Sequence, residues 1–302
     1  MRFKIQIVLI LFLPLIAFAQ VNTTYSLKVL GVVQDGGLPH LGSNKLCCDE
    51  TQSKSYVTSL MLINNGNNYS YLFDASPDIN EQLNFMGDRI KNDLKGIFLT
   101  HAHIGHYTGL MYFGREALNS KSINVYAMPR MKKFLEQNGP WSQLVSLENI
   151  LITELNNNSM ISLDSNVMIQ PIEVPHRPEF SETVGYKIYG PNKKALFIPD
   201  IDKWYLWDKS IIDEIKKVDY ALVDATFYDS KEVNYRDISE IPHPFVIESM
   251  QLFDSLDDKE KNKIYFIHLN HTNPLLDKQS DQYKYVIGKG YNVAEDGMNL
   301  KL

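Results

Sequence analysis

Three histidines stand within six residues, His101-Ala102-His103-Ile104-Gly105-His106, directly after the apolar run Gly96-Ile97-Phe98-Leu99-Thr100. The run reads as a short buried strand, so the histidines fall where a strand opens into a loop. In extended chain, residues two apart project to the same side, which lets His101 and His103 reach one ion with imidazole nitrogens about 2.0–2.1 Å from it. His106 follows a turn later, where Tyr107-Thr108-Gly109-Leu110 opens a helix, and can face a neighbouring point. The chain has eight histidines. Core packing or solvation explains three of them in one such hexapeptide poorly, and a metal centre explains it well.

Around this hexapeptide the chain alternates β-rich and helical patterns. Leu27–Val33, Val57–Ile63, Tyr69–Phe73 and Gly96–Leu99 read as strands bounded by turn signals such as Asn64-Asn65-Gly66-Asn67-Asn68. Helical periodicity marks Asp78–Met86, Gly109–Ala117, Met131–Asn138 and Asp208–Lys216. A second strand series follows at Leu151–Leu155, Val167–Val174, Val184–Ile188, Ala195–Ile198, Tyr220–Val223 and Ile264–Ile267. Two strand-rich halves with helices between them point to an α+β sandwich of two sheets covered by helices. No repeat period and no low-complexity linker divides the chain.

The first nineteen residues read as a secretory signal: Arg2 and Lys4, then the apolar Ile5–Phe18, then the small-residue cleavage site Ala17-Phe18-Ala19. The mature chain is expected to begin at Gln20, giving a signal peptide over 1–19 and one domain over 20–302, in the periplasm or secreted. A permanent anchor is the competing reading, but the run falls short of the roughly 20 residues a spanning helix needs and Pro14 interrupts it. No stable membrane anchor is expected after cleavage. The net charge of −6, with no basic stripe, argues against a nucleic-acid partner and for a small-molecule substrate. Oligomeric state is not legible. The two cysteines, Cys47 and Cys48, are adjacent, so they do not make a disulfide framework; they are either loop thiols or half of a metal clip.

The strand-loop pattern at His101–His106 resembles the metallo-β-lactamase superfamily, whose signature is H-x-H-x-D-H after a strand. The resemblance implies a four-layer αββα sandwich of two mixed sheets flanked by helices. It also implies roles for strand-end residues in chain order. Asp74, after Tyr69-Ser70-Tyr71-Leu72-Phe73, resembles the aspartate that supports a ligand from behind. His176, in Val174-Pro175-His176-Arg177, resembles the third ligand of a first metal held by His101 and His103. Asp200, closing Leu196-Phe197-Ile198-Pro199-Asp200, resembles the bridging carboxylate and the residue that orients the attacking water. His268, after Ile264-Tyr265-Phe266-Ile267, resembles the last ligand of a second metal shared with His106.

The chain is further similar to the branch of coenzyme PQQ synthesis protein B-like proteins. The likeness rests on Leu30-Gly31-Val32-Val33-Gln34-Asp35-Gly36-Gly37, on His268-Leu269-Asn270-His271-Thr272-Asn273-Pro274 and on Val293-Ala294-Glu295-Asp296-Gly297-Met298. That branch often carries a cysteine-rich loop that holds a structural zinc. Here only Cys47 and Cys48 stand, with Ser43 where another thiol is expected.

Gly105 takes the place of the signature's aspartate. One firm zinc site is therefore expected, with a weaker second site on His106, His268 and Asp200, and His271 is a candidate substitute ligand. His243, in Ile241-Pro242-His243-Pro244, is either a proton-transfer contact or a rigid-loop histidine. His40 is equally open, and Tyr107 and Arg177 flank ligands as possible pocket residues. The implied chemistry is hydrolysis of a small molecule by a water that zinc has made nucleophilic at neutral pH. Two alternatives remain: iron-dependent oxygenation at a triad of His106, His268 and Asp200, as the cofactor-synthesis branch implies, and metal or ligand binding without catalysis. Export favours hydrolysis, because biosynthesis of a redox cofactor is ordinarily cytoplasmic.

Overall fold

The structure, a computed structural model, describes residues 25–45, 54–233, 237 and 240–302. The signal read at 1–19 and the Cys47/Cys48 pair lie outside the described residues. Among the described residues, fourteen strands form two seven-stranded sheets. The first comprises β1 (Tyr25–Gly31), β2 (Ser59–Asn64), β3 (Tyr69–Phe73), β4 (Leu94–Phe98), β5 (Ile123–Ala127) and β6 (Ile150–Glu154). The second comprises β7 (Ile161–Ser162), β8 (Met168–Glu173), β9 (Val184–Tyr189), β10 (Lys194–Ile198), β11 (Tyr220–Asp224), β12 (Ile264–Ile267) and β13 (Asn292–Val293), and the chain returns to the edge of the first sheet as β14 (Asn299–Lys301). The strand orders are β14-β1-β2-β3-β4-β5-β6 and β13-β12-β11-β10-β9-β8-β7.

Alternation explains why the sheets stack and carry helices outside. Phe73 of β3 and Phe98 of β4 face inward and pack with Tyr186 and Phe197 of the opposite sheet, while their neighbours Leu72 and Ile97 face the helices that cover the first sheet. Leu196 and Ile198 of β10 likewise face an outer layer that contains Trp204, Ile211 and Val246. Strands buried on both faces read as nearly continuous apolar runs, as Ala195-Leu196-Phe197-Ile198 does. The result is the expected four-layer αββα arrangement.

Strand direction decides where chemistry collects. β3, β4, β5 and β6 are parallel, as are β10, β11, β12 and β13. β1 is antiparallel to β2, and β2 to β3, so β1 runs with β3; β8 runs with β10 by the same parity through β9. The carboxyl ends of β1, β3, β4, β8, β10, β11 and β12 therefore open toward one rim of the sandwich, the position where open α/β sheets bind ligands.

Candidate metal centre

Each donor is a residue within a few positions of one of those strand ends. Asp74 follows β3, His101 and His103 follow β4, His176 follows β8, Asp200 follows β10, Asp224 closes β11 and His268 follows β12. Asp74 and His268 adopt left-handed backbone, with φ of 66° and 65°. This conformation is uncommon outside glycine and turns the chain sharply, so that the side chain comes back over the rim.

His101, His103, His176 and Asp200 form the first cluster. His103 Nδ1 lies 2.8 Å from His101 Nε2 and 3.3 Å from His176 Nε2. Asp200 Oδ2 lies 3.3 Å from His101 Nε2 and 3.2 Å from His176 Nε2. Four donors about 2.0–2.1 Å from a tetrahedral ion stand ~3.3 Å from one another, so the set has the dimensions of a zinc-sized site.

The second cluster is Asp35, His106 and His268, and Asp35 is a ligand candidate that sequence reasoning missed. A Cβ built on Gly105 would lie 2.1 Å from Asp35 Oδ1 and 2.9 Å from its Cγ. The Asp35 carboxylate thus occupies the space in which a side chain at 105 would stand. The structure thus brings to the expected weaker second site a carboxylate from beyond the end of β1, in the space that glycine at 105 leaves open. Asp200 Oδ2, 3.9 Å from His106 Nε2, reaches from the first cluster toward the second.

The opposite face of each imidazole is held so that one nitrogen is left for the ion. His106 Nδ1 donates to Asp74 Oδ2 at 2.7 Å, and Asp74 also accepts from the Thr100 amide and hydroxyl at 2.8 and 2.9 Å. His176 Nδ1 donates to Asp202 Oδ1 at 2.9 Å. His103 Nε2 is 3.3 Å from Glu179 Oε2. His101 Nδ1 and His268 Nδ1 meet the hydroxyls of Thr100 and Thr226, each at 3.0 Å.

His243 sits inside the site. Its Nδ1 is 2.9 Å from Asp224 Oδ2 and 3.2 Å from Asp200 Oδ1, and the ring is buried. Burial lowers its pKa, but the charges of Asp224 and Asp200 and its hydrogen bonds to both outweigh this and push it up to about 10. The fold thus buries His243 beside Asp200 and Asp224, and these three also stand close enough together to hold a cation. His271 is not brought to either ion cluster: its ring stacks on His40 at 4.1 Å and its Nε2 meets Ser43 Oγ at 3.2 Å. Tyr107 is buried among Phe134 and Trp141 instead of lining the site, and Arg177 pairs with Glu179 at 3.5 Å.

Four polar atoms of this site, Asp35 Oδ1, His106 Nε2, Asp200 Oδ1 and His268 Nε2, are buried without a well-aligned hydrogen bond, although His106 Nε2 stands 3.4 Å from Asp35 Oδ1 and His243 Nδ1 3.2 Å from Asp200 Oδ1. Leaving one such atom unsatisfied costs roughly 1–3 kcal/mol. Cations held between them would satisfy the group together, so the residues present fit a metal.

Protons compete with that metal. Burial lowers the His176 pKa, but the charge and hydrogen bond of Asp200, with Asp202 behind, push it up to about 9. A ligating nitrogen must be neutral. The apparent affinity of the first site is therefore expected to rise about tenfold per pH unit for each proton displaced as pH climbs toward 9, then to level off. In the metal-free protein the sign reverses, because a raised pKa contributes stability in full below 6.5 that is lost as pH rises through about 9. Calorimetric metal titrations in buffers of different ionisation heat, with metal-free melting curves across this range, check both; a pH-independent affinity would refute the assignment.

Residues 69–269 match the family model described as "Beta-lactamase superfamily domain". Coenzyme PQQ synthesis protein B of Klebsiella pneumoniae is 27% identical, over 91% of this chain and 98% of its own length. The protein of the same name from Pseudomonas putida is 26% identical, over 91% and 99%. Among solved structures, Zn(2+)-bound PqqB from Methylobacterium extorquens matches with a TM-score of 0.76 at 20% identity, covering 92% of this chain and 100% of that one. A diphosphatase from the PhnP family matches with a TM-score of 0.63 at 21% identity, covering 92% and 97%.

Proposed function

The chain belongs to the β-lactamase superfamily, and from that premise we propose that it is an exported, zinc-dependent hydrolase of a small molecule, with two metal sites. The observation that carries this is the convergence of buried ligand atoms at the strand rim, Asp35 Oδ1, His106 Nε2, Asp200 Oδ1 and His268 Nε2, beside the His101/His103/His176 cluster. The Zn(2+)-bound relative supports zinc as the ion. The sequence of residues 1–19 supports export.

His101, His103, His176 and Asp200 would hold the first ion, and Asp35, His106 and His268 the second, with Asp200 between them. When bound, such ions supply Lewis-acid polarisation of the scissile group and lower the pKa of a water. Asp200 would orient a water held there. Burial would raise the Asp200 pKa, but the charges of His176 and His243 and hydrogen bonds from His101 and His103 hold it well below the usual carboxylate range, so it acts as an anion. His243, protonated and anchored to Asp224, is the proton source for a leaving group. Asp74, Asp202 and Glu179 orient ligands and touch no reacting atom.

A second reading is favoured by one observation. Asp35, His106 and His268 form a two-histidine, one-carboxylate set of the kind that holds iron for oxygen chemistry, and the relatives that match nearly full length are cofactor-synthesis proteins. In this reading Asp35 stands in the triad where Asp200 was expected from the sequence. Elemental analysis of the protein from its native compartment, with an ester and phosphodiester panel, separates the readings. The hydrolase is expected to contain zinc, to lose at least about 100-fold in rate when stripped by chelator and to regain it with zinc. Iron with oxygen uptake and no hydrolysis would decide for the second.

A further inference from the structure

Outside the metal centre, the short 3-10 turn Trp204–Leu206, the start of the helix Ile211–Lys216 and the helix Val246–Leu252 enclose a cleft of about 500 Å³ on the outer layer of the second sheet. That volume lies in the range of small-molecule sites. Trp204, Ile211, Ile212, Pro244 and Leu252 make its apolar walls. The walls are preformed: Trp204 Nε1 donates to Ser249 Oγ at 2.8 Å and the indole packs on Phe253, while Ser210 caps the following helix by accepting from the Asp213 amide. Tyr205 stands at the rim, 82% exposed, and Leu252 is 40% exposed, so apolar surface here faces solvent.

Two lysines line the same cleft, and they differ. Lys203 Nζ is 2.6 Å from Glu248 and lies over the Phe245 ring at 4.3 Å, so its charge is already met. Lys209 is half-buried and has no ion-pair or hydrogen-bond partner among the described residues. A lysine without a partner beside apolar walls is complementary to an anionic head on an apolar tail.

We propose that this cleft binds an amphipathic anion, with its apolar tail against Trp204, Ile212 and Leu252 and its head on Lys209. The inference does not depend on the hydrolase reading.

The test is a titration of the metal-loaded full chain with octanoate and, in parallel, octylammonium, followed by tryptophan fluorescence, since Trp204 lines the cleft. Octanoate should produce a saturable change and octylammonium none. Lys209→Glu and the milder Lys209→Gln should both weaken octanoate, the former by about tenfold, and Ile212→Glu should weaken it by at least as much. Equal responses to the two probes, or an octanoate affinity unmoved by both Lys209 variants, would overturn the proposal. So would octanoate failing to bind while Ile212→Glu turns a dimer into a monomer, which would make the cleft a contact between copies.

Discussion

Asp35→Ala is expected to leave the protein with one tightly bound zinc ion instead of two and to cut turnover by about 100-fold or more. The effect is local to the second site. Its remaining donors, His106 and His268, are both neutral ligands and cannot offset the charge of a divalent ion as a carboxylate does. In the metal-free protein burial would raise the Asp35 pKa, but the hydrogen bond and charge of His106 hold the carboxyl well below the usual carboxylate range, so it is ionised before metal displaces the His106 proton. Gly105→Asp gives the complementary result. In the native background its Cβ would overlap Asp35 Oδ1 at 2.1 Å, and such overpacking costs typically 1–3 kcal/mol, about the scale of a readily measured fall in melting temperature. Combined with Asp35→Ala, the same change supplies a carboxylate where one was removed, and part of the second zinc and of the rate should return. Metal content and melting curves of the two single variants and the pair test this. Two zinc ions retained in Asp35→Ala would contradict it.

Asp200→Asn should be more damaging still, with turnover reduced by about 1,000-fold or more and zinc lost from both sites. The substitution keeps the shape of the side chain and removes the charge on which both clusters depend. Asp200 Oδ2 is 3.2 Å from His176, 3.3 Å from His101 and 3.9 Å from His106, while Oδ1 is 3.2 Å from His243. Without that anion, desolvation prevails at His176, whose pKa then falls from about 9. Metal-free Asp200→Asn should accordingly lose much of the pH dependence of stability expected of the native chain between 6.5 and about 9. A variant that retains two metals and half its activity would remove Asp200 from the bridging role.

Most of the architecture was legible because both faces of its central strands are buried. Tyr69–Phe73 and Ile264–Ile267 are legible residue for residue; His101 and His103 were placed at the rim from a strand end, and Asp74, His176, Asp200 and His268 by the family resemblance together with their strand ends. Asp35 was not, although Leu30–Gly37 was singled out. The reason is geometric: its relation to Gly105 follows from the parity of β1, β2 and β3, and pairing directions between separated strands leave no local mark on the chain. A carboxylate four residues past the first strand, with the signature's own missing, was the signal available. The helix expected at Gly109–Ala117 is a 3-10 segment, Thr108–Phe113, ended at Gly114. Tertiary contact decides this: Gly109 donates its amide to Ala75 O, and a Cβ there would stand 2.1 Å from Ser76 O. The helices Trp141–Ser146 and Asp281–Gly288 were missed because each buries few side chains, Leu144 in the first and Val286 in the second. His243 looked like a loop residue between prolines, and only the fold shows Asp200 and Asp224 converging on it.

In the proposed two-metal site, Asp35 completes the second set of ligands in place of a side chain at 105. Crystals of the zinc-loaded protein, measured for anomalous scattering on both sides of the zinc absorption edge, test it most directly. Two zinc peaks are expected: one about 2.0–2.2 Å from ligand atoms of His101, His103 and His176, and one at the same distance from Asp35, His106 and His268, with Asp200 between them. A single peak, or a second peak to which the Asp35 carboxylate does not bind, would contradict it.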